Sequence, residues 1–164
     1  MKRYNKKRHT NRVHNTERLI ARKIRQEQDG GFKCSHCKTW TVINQYMGTA
    51  NRNHCNVCLW SRHVDTKKGD RRATCQAGMR PIGLTFKHEG QNRQGEIMLI
   101  HVCAGCPKIS INRIAADDAD DQILAIFEAS LSMLPEDRSR LQQANILLAG
   151  EQDRQSILNQ LFGF

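Results

Sequence analysis

The stretch Arg52–Asp65, RNHCNVCLWSRHVD, packs two cysteines, two histidines, two arginines, a tryptophan and an aspartate into fourteen positions. Cys55 and Cys58 are separated by two residues. That spacing lets both sulfurs approach one ion while the intervening backbone amides point at them. Thiolates are the soft, charged donors that zinc selects, and four of them close a tetrahedral site. A second pair, Cys34/Cys37, lies upstream with seventeen residues between the pairs. Two pairs at that separation read as a zinc ribbon. The expected first site is therefore Cys34, Cys37, Cys55 and Cys58. No thioredoxin-like βαβ pattern surrounds them, which disfavours redox dithiols.

Further outward, Cys103/Cys106 form a third pair and Cys75 stands alone. Those three need one histidine to complete a second site. The candidates are His54, His63, His88 and His101. His101 is in phase with Cys103 on a predicted strand but too near it to ligate comfortably beside it. His63 is preferred. If CNVCLWSRHV begins a helix, His63 lies off the Cys55/Cys58 face and can reach a neighbouring centre. The expected second site is His63, Cys75, Cys103 and Cys106.

The rest of the composition suits a metal-stapled chain. Of 164 residues only 5% are aromatic, and mean hydropathy is −0.65. A core that thin commonly relies on a metal or disulfide staple. No apolar run is long enough to span a membrane. The basic N-terminus is not followed by an apolar h-region, so no secretory signal is expected and the reducing cytoplasm is the expected compartment.

Charge divides the chain into three. Residues 1–29 carry ten Lys/Arg against three acids, residues 30–116 thirteen against four, and residues 117–164 three against nine. The first part is expected to be a basic arm (1–31), with a short helix from Thr16 to Gln28 ended by Gly30-Gly31. The second (32–118) reads as short strands and knuckles. TWTVINQY is expected to be a strand, and IGLTF and EIMLIHVC to form a hairpin across the turn-rich EGQNRQG. The third (119–164) reads as helical. One helix opens at the Asp residues of DADDQILAIFEASLSML, a second starts at Pro135 and runs through Leu148, and a third lies in EQDRQSILNQLFGF. The fold expected is α+β, with a small zinc-ribbon or treble-clef-like core flanked by a basic arm and a helical segment.

These motifs together resemble a known family. GTANRNHCNVCLWSRHVD, GDRRATCQAGMRPIG, IHVCAGC and INRIAADD, spread over about Phe32 to Asp118, are similar to the RNHCP-domain family of bacterial proteins. Asn56 stands where the family string has proline. Pro107 follows Cys106 where the family tends to have glycine. Proline cannot take the positive φ that zinc knuckles favour there, so the third knuckle is expected to differ from the other two. The resemblance implies a compact, zinc-binding, cysteine-rich domain and brings no settled activity.

Function is read from the residues. Arg52, Arg62, Lys67, Lys68, Arg71, Arg72 and Arg80 surround the cysteine motifs and are expected to face phosphates. Trp40 and Trp60 could stack on unpaired bases, although core packing suits Trp60 better. The leading expectation is a nucleic-acid-binding zinc protein with an RNA partner, ribosomal or transfer RNA being examples. A second reading is a protein-interaction adaptor, with 119–164 docking on a partner, self-associating or masking the basic core. A third is an HNH-like metal-dependent nuclease using His54 or His63 as base with Asp65, Asp70, Asp117 or Asp118. It conflicts with His63 as a metal ligand.

Overall fold

A computed structural model describes residues 30–43, 45–47, 51–88 and 94–163. Residues 1–29 of the basic arm, with its expected helix, and residues 89–93 between the two long strands lie outside the described residues.

Each Cys-x-x-Cys pair forms the turn of a tight antiparallel hairpin, and all three share one register. β1 (Gly31–Lys33) pairs with β2 (Trp40–Val42), with Lys33 opposite Trp40 around the first cysteine pair. His54 bridges to Ser61 around the second. Val102 pairs with Ile109 around the third, between β5 (Gln94–Cys103) and β6 (Ile109–Arg113). In each, the first cysteine's N–H donates to the carbonyl five residues on. The bonds are Cys34 to Thr39 at 2.8 Å, Cys55 to Trp60 at 2.9 Å and Cys103 to Lys108 at 2.9 Å.

CNVCLWSRHV is therefore not the start of a helix. It is a knuckle running into β3 (Ser61–Arg62), which pairs with Gly78 and Met79 of β4 (Gly78–His88). The turn absorbs a positive φ at Leu59, as the first knuckle does at Lys38, and that conformation ends any helical path. The expected strand TWTVINQY is likewise shorter, stopping at Val42 before a 3-10 turn over Gln45–Met47.

The main sheet is antiparallel in the order β3-β4-β5-β6. β4 and β5 form the hairpin expected from their alternating and apolar sequences. Three helices cover it: α1 (Asp120–Leu131), α2 (Pro135–Gln143) and α3 (Arg154–Phe162). Asp120 and Asp121 occupy the first turn of α1, where carboxylates complement the helix dipole. Ile123, Phe127 and Ser130 recur at helical spacing and are buried.

The helices and the sheet share one interior. Leu59, Leu84, Ile97, Leu99, Ile123, Phe127, Ala149 and Ile157 form one apolar cluster, and Ile82, Ile100, Val102 and Leu141 a second. The helical segment after residue 118 thus completes the core of the cysteine-rich region. Among the described residues, no helix is long and apolar enough to cross a membrane.

α2 ends at Gln143 rather than Leu148. Asn145 takes φ 53°, and the chain turns back so that Ala149 N–H donates to Leu84 O of β4 at 2.8 Å. Leu148 then packs over Gly83, where an added Cβ would lie 2.5 Å from Leu148 Cδ1 and 3.3 Å from Ser130 Cβ. Gly83→Ala is expected to destabilise the chain by ~1–3 kcal/mol through overpacking, read as a lower urea midpoint with unchanged slope.

Candidate metal centres

The first and second knuckles face each other. Cys34 Sγ lies 3.6 Å from Cys58 Sγ, and Cys37 Sγ lies 3.6 Å from Cys55 Sγ. All four sulfurs lie within 4.8 Å of one another. The sulfur–sulfur edge of a tetrahedral zinc thiolate site is about 3.8 Å, given bonds of about 2.3 Å. Val57 N–H points at Cys55 Sγ from 3.4 Å, as a thiolate-stabilising amide does. Burial pushes the Cys34 and Cys58 thiols up, whereas hydrogen bonds from Thr39 hold Cys37 down at about 6. Four thiolates this close would repel one another, so a cation is needed before all four can be charged.

The second group has Cys75, Cys103, Cys106 and His63 within the same 4.8 Å limit. Cys75 and Cys103 sulfurs are 3.7 Å apart, and His63 Nδ1 is 3.3 Å from Cys106 Sγ. His63 follows β3, directly after Arg62, with its N–H donating to Ala77 O at 2.9 Å. The strand therefore carries the chain from the first centre to the second. Gly105 lies where an added Cβ would be 3.3 Å from Cys75 Sγ and 2.8 Å from Ala77 Cβ, so any larger residue crowds this centre. The first two knuckles carry an inner N–H bond, from Lys38 to Cys34 O at 3.1 Å and from Leu59 to Cys55 O at 3.0 Å. Pro107 has no N–H and no positive φ, so the third knuckle keeps the outer bond and lacks the inner one, while Gly105 N–H still points at Cys103 Sγ from 3.4 Å.

The head of the opening stretch has a buried structural role. Arg52 is 2% exposed and His54 1%. The Arg52 guanidinium forks onto the carboxylates of Asp117 and Asp118, and its Nε donates to His54 O at 3.1 Å. His54 Nε2–H donates to the second oxygen of Asp118 at 2.8 Å, which also accepts Ala115 N–H at 2.8 Å. Arg52, expected to face a phosphate, is instead buried with its guanidinium on two carboxylates, although it lines the groove described below. Asp117 and Asp118 are engaged by Arg52 rather than offered to magnesium. His54 Nδ1 is buried and has no hydrogen-bond partner among the described residues.

Two further residues, whose structural roles sequence reasoning missed, lock the knuckles to the fold. His101 is fully buried, and desolvation pushes it down to about 3, so it is neutral. Its Nε2–H donates to Leu59 O at 2.7 Å and its Nδ1 accepts from Asn112 at 2.9 Å, tying the second knuckle to β5 and β6. His36 stacks on Trp60 at 4.2 Å with 4° between ring planes, joining the first two knuckles. Asn56, in place of the family's proline, accepts Ala119 N–H at 2.9 Å through its carbonyl, and its side chain lies 3.3 Å from the Thr41 hydroxyl.

The remaining cations divide in two. Arg62, Lys67 and Lys68 line a groove of about 550 Å³, joined by Lys87, Lys108 and Arg113. Asp65 is the only acid among its lining residues. Its carboxylate accepts the N–H groups of Gly69 and Arg71 at 3.2 and 2.8 Å. Asp70 does the same for Thr66, Lys67 and Arg72. Backbone N–H groups, Lys67 first, hold the Asp70 carboxyl below its usual range. Both acids are thus staples of the loop that presents Lys67 and Lys68. Arg71 lines a smaller adjoining pocket, and Arg72 is exposed and lines neither. Arg80 turns away to Asp137 of α2 at 2.6 Å and lies outside the groove.

A family model described as the RNHCP domain matches residues 29–124. No curated protein and no solved structure matches the chain.

Proposed function

The chain belongs to the RNHCP-domain family, and from its two metal-competent centres and its basic groove we propose a zinc-stabilised protein that binds nucleic acid, with RNA as the partner. Zinc is the ion that four-sulfur and three-sulfur-one-nitrogen sets select. Four protein donors close each centre, so the metal is structural and leaves no open position for a substrate. All seven cysteines are free of disulfides, which suits a cytoplasmic setting.

The groove carries the nucleic-acid reading. Six exposed or half-exposed cations line it with one acid whose charge is engaged by backbone amides. Glu96 offsets part of that charge, pairing with Arg113 at 2.8 Å and Lys87 at 3.7 Å. A polyanion placed there would exchange its counterions for Lys67, Lys68, Arg62 and Lys108. The helices of the described region carry only Arg138, Arg140 and Arg154 as cations, against nine acids from Asp117 onward. None of them suits insertion into a DNA major groove, which favours RNA or an unpaired strand.

Two observations weigh against the other readings. α1, α2 and α3 pack on the sheet through Ile123, Phe127, Leu141 and Ile157, which reduces the apolar surface left to an adaptor. No residue after Arg113 lines the groove, so the acidic helices do not mask it. Every carboxylate considered for a nuclease centre is engaged by backbone amides or by Arg52.

Binding of a labelled single-stranded oligoribonucleotide, titrated against salt, tests the proposal. Affinity is expected to fall linearly in log–log form. Lys67→Ala with Lys68→Ala is expected to lower the slope by about 0.7 for each phosphate left without its lysine, with metal content and melting temperature unchanged. Absence of binding at low salt, or binding indifferent to salt, would reject it.

A further inference from the structure

Beside the groove lies a second cavity of about 220 Å³, walled by Phe32, Ile43, Trp60 and Val64 with Arg62 and Arg71 among its lining residues. Arg52, Asn53 and Arg62 line both cavities, so the two are neighbours. We propose that this cavity receives one unpaired nucleobase of a strand lying in the groove, with Arg62 and Arg71 holding the flanking phosphates. The inference rests on the nucleic-acid reading of the groove and deepens it.

The lining has the required chemistry. Every base presents an apolar π-face that gains by leaving water for aromatic and aliphatic walls, whatever its sequence. Drug-sized ligand sites begin at about 300 Å³, so this cavity suits one ring system rather than a whole cofactor. Its charge is complementary to a nucleotide. Arg62 uses Nε on Gln76 O at 3.0 Å, and its two terminal nitrogens make no hydrogen bond within the described residues. Arg71 has one loose pairing, to Asp65 at 3.8 Å. A guanidinium shared by a cavity and a cationic groove is placed for a phosphate. Trp60 is fixed in the wall by its stack on His36, so the cavity is preformed.

The test uses the full-length, metal-loaded protein with two probes, a pentauridylate and its fully abasic counterpart with the same phosphates. The native chain is expected to bind the base-bearing strand roughly tenfold or more tightly than the abasic one. Val64→Trp, which fills the cavity, is expected to abolish that preference while leaving the abasic affinity unchanged. That unchanged affinity also reports that the variant is folded. Ile43→Trp fills the cavity from the β2 side and is expected to act alike, so the test stands if one variant fails to fold. Equal binding of both strands by the native chain, with salt dependence retained, would overturn the base pocket alone. A preference that survives in the folded variants would also overturn it. Failure of both strands to bind would remove the groove reading and the pocket together.

Discussion

Cys55→Ser is expected to abolish the native fold at room temperature. Cys55 is fully buried, and its backbone closes the second knuckle. Its sulfur is one of four that converge on the first centre. Structural zinc contributes on the order of 10 kcal/mol or more to folding of small metal-stapled domains. The whole stability of a domain is only about 5–15 kcal/mol. The cluster of apolar side chains built on Leu59 cannot compensate, because Leu59 itself is held in place by that knuckle. Circular dichroism and a thermal melt of the variant, with metal content measured on the same sample, check this. A cooperative melt near that of the native chain would show that the centre is not a structural staple. Removing the metal from the native chain with a strong chelator should reproduce the loss.

The second large effect is expected from Arg52→Ala, at about 3–5 kcal/mol. The substitution leaves Asp118, which is buried, without its guanidinium partner. It also releases Asp117 and the His54 carbonyl. Arg52→Lys should recover little, because an ammonium cannot fork across two carboxylates. The arginine holds the loop before the second knuckle against the start of α1, so the damage is to docking rather than to ligation. Urea denaturation at saturating zinc measures the loss. Combining Arg52→Ala with Asp118→Ala should cost less than the sum of the two single changes, since both remove one buried pair. A loss within about 0.5 kcal/mol of zero would mean that the network is not holding the fold.

How far the sequence discloses this molecule depends on the range over which each signal acts. The knuckles are legible because two-residue spacing is a local constraint on where two sulfurs can point. The β4–β5 hairpin and the amphipathic helices are legible from periodicity, which is also local. CNVCLWSRHV reads wrongly as a helix because its residues tolerate one. What overrides them is the turn closed by Cys55 and Trp60 and the pairing of Ser61 with Met79 from a separate strand. The expected length of α2 fails for the same reason. Residues 146–149 have helical composition but are held by Leu84 of a distant strand.

Arginine 52 is the clearest case of what composition hides. In sequence it is one more cation beside a cysteine motif. In the fold its neighbours are Asp117 and Asp118, more than sixty positions away. The pairing of RNHC with the later ADD is visible only by asking which acids a buried arginine would need. Arg80, drawn off to Asp137, teaches the same lesson. Lys67 and Lys68 belong to a loop whose own aspartates satisfy its backbone, and their exposure follows from that local arrangement.

Elemental analysis of the purified chain tests the central claim most directly. Two zinc ions per chain are expected, and fewer than two in Cys103→Ser, because that change removes a ligand of the second centre. A native chain that is folded yet carries no metal, or a Cys103→Ser variant that still carries two ions, would contradict it.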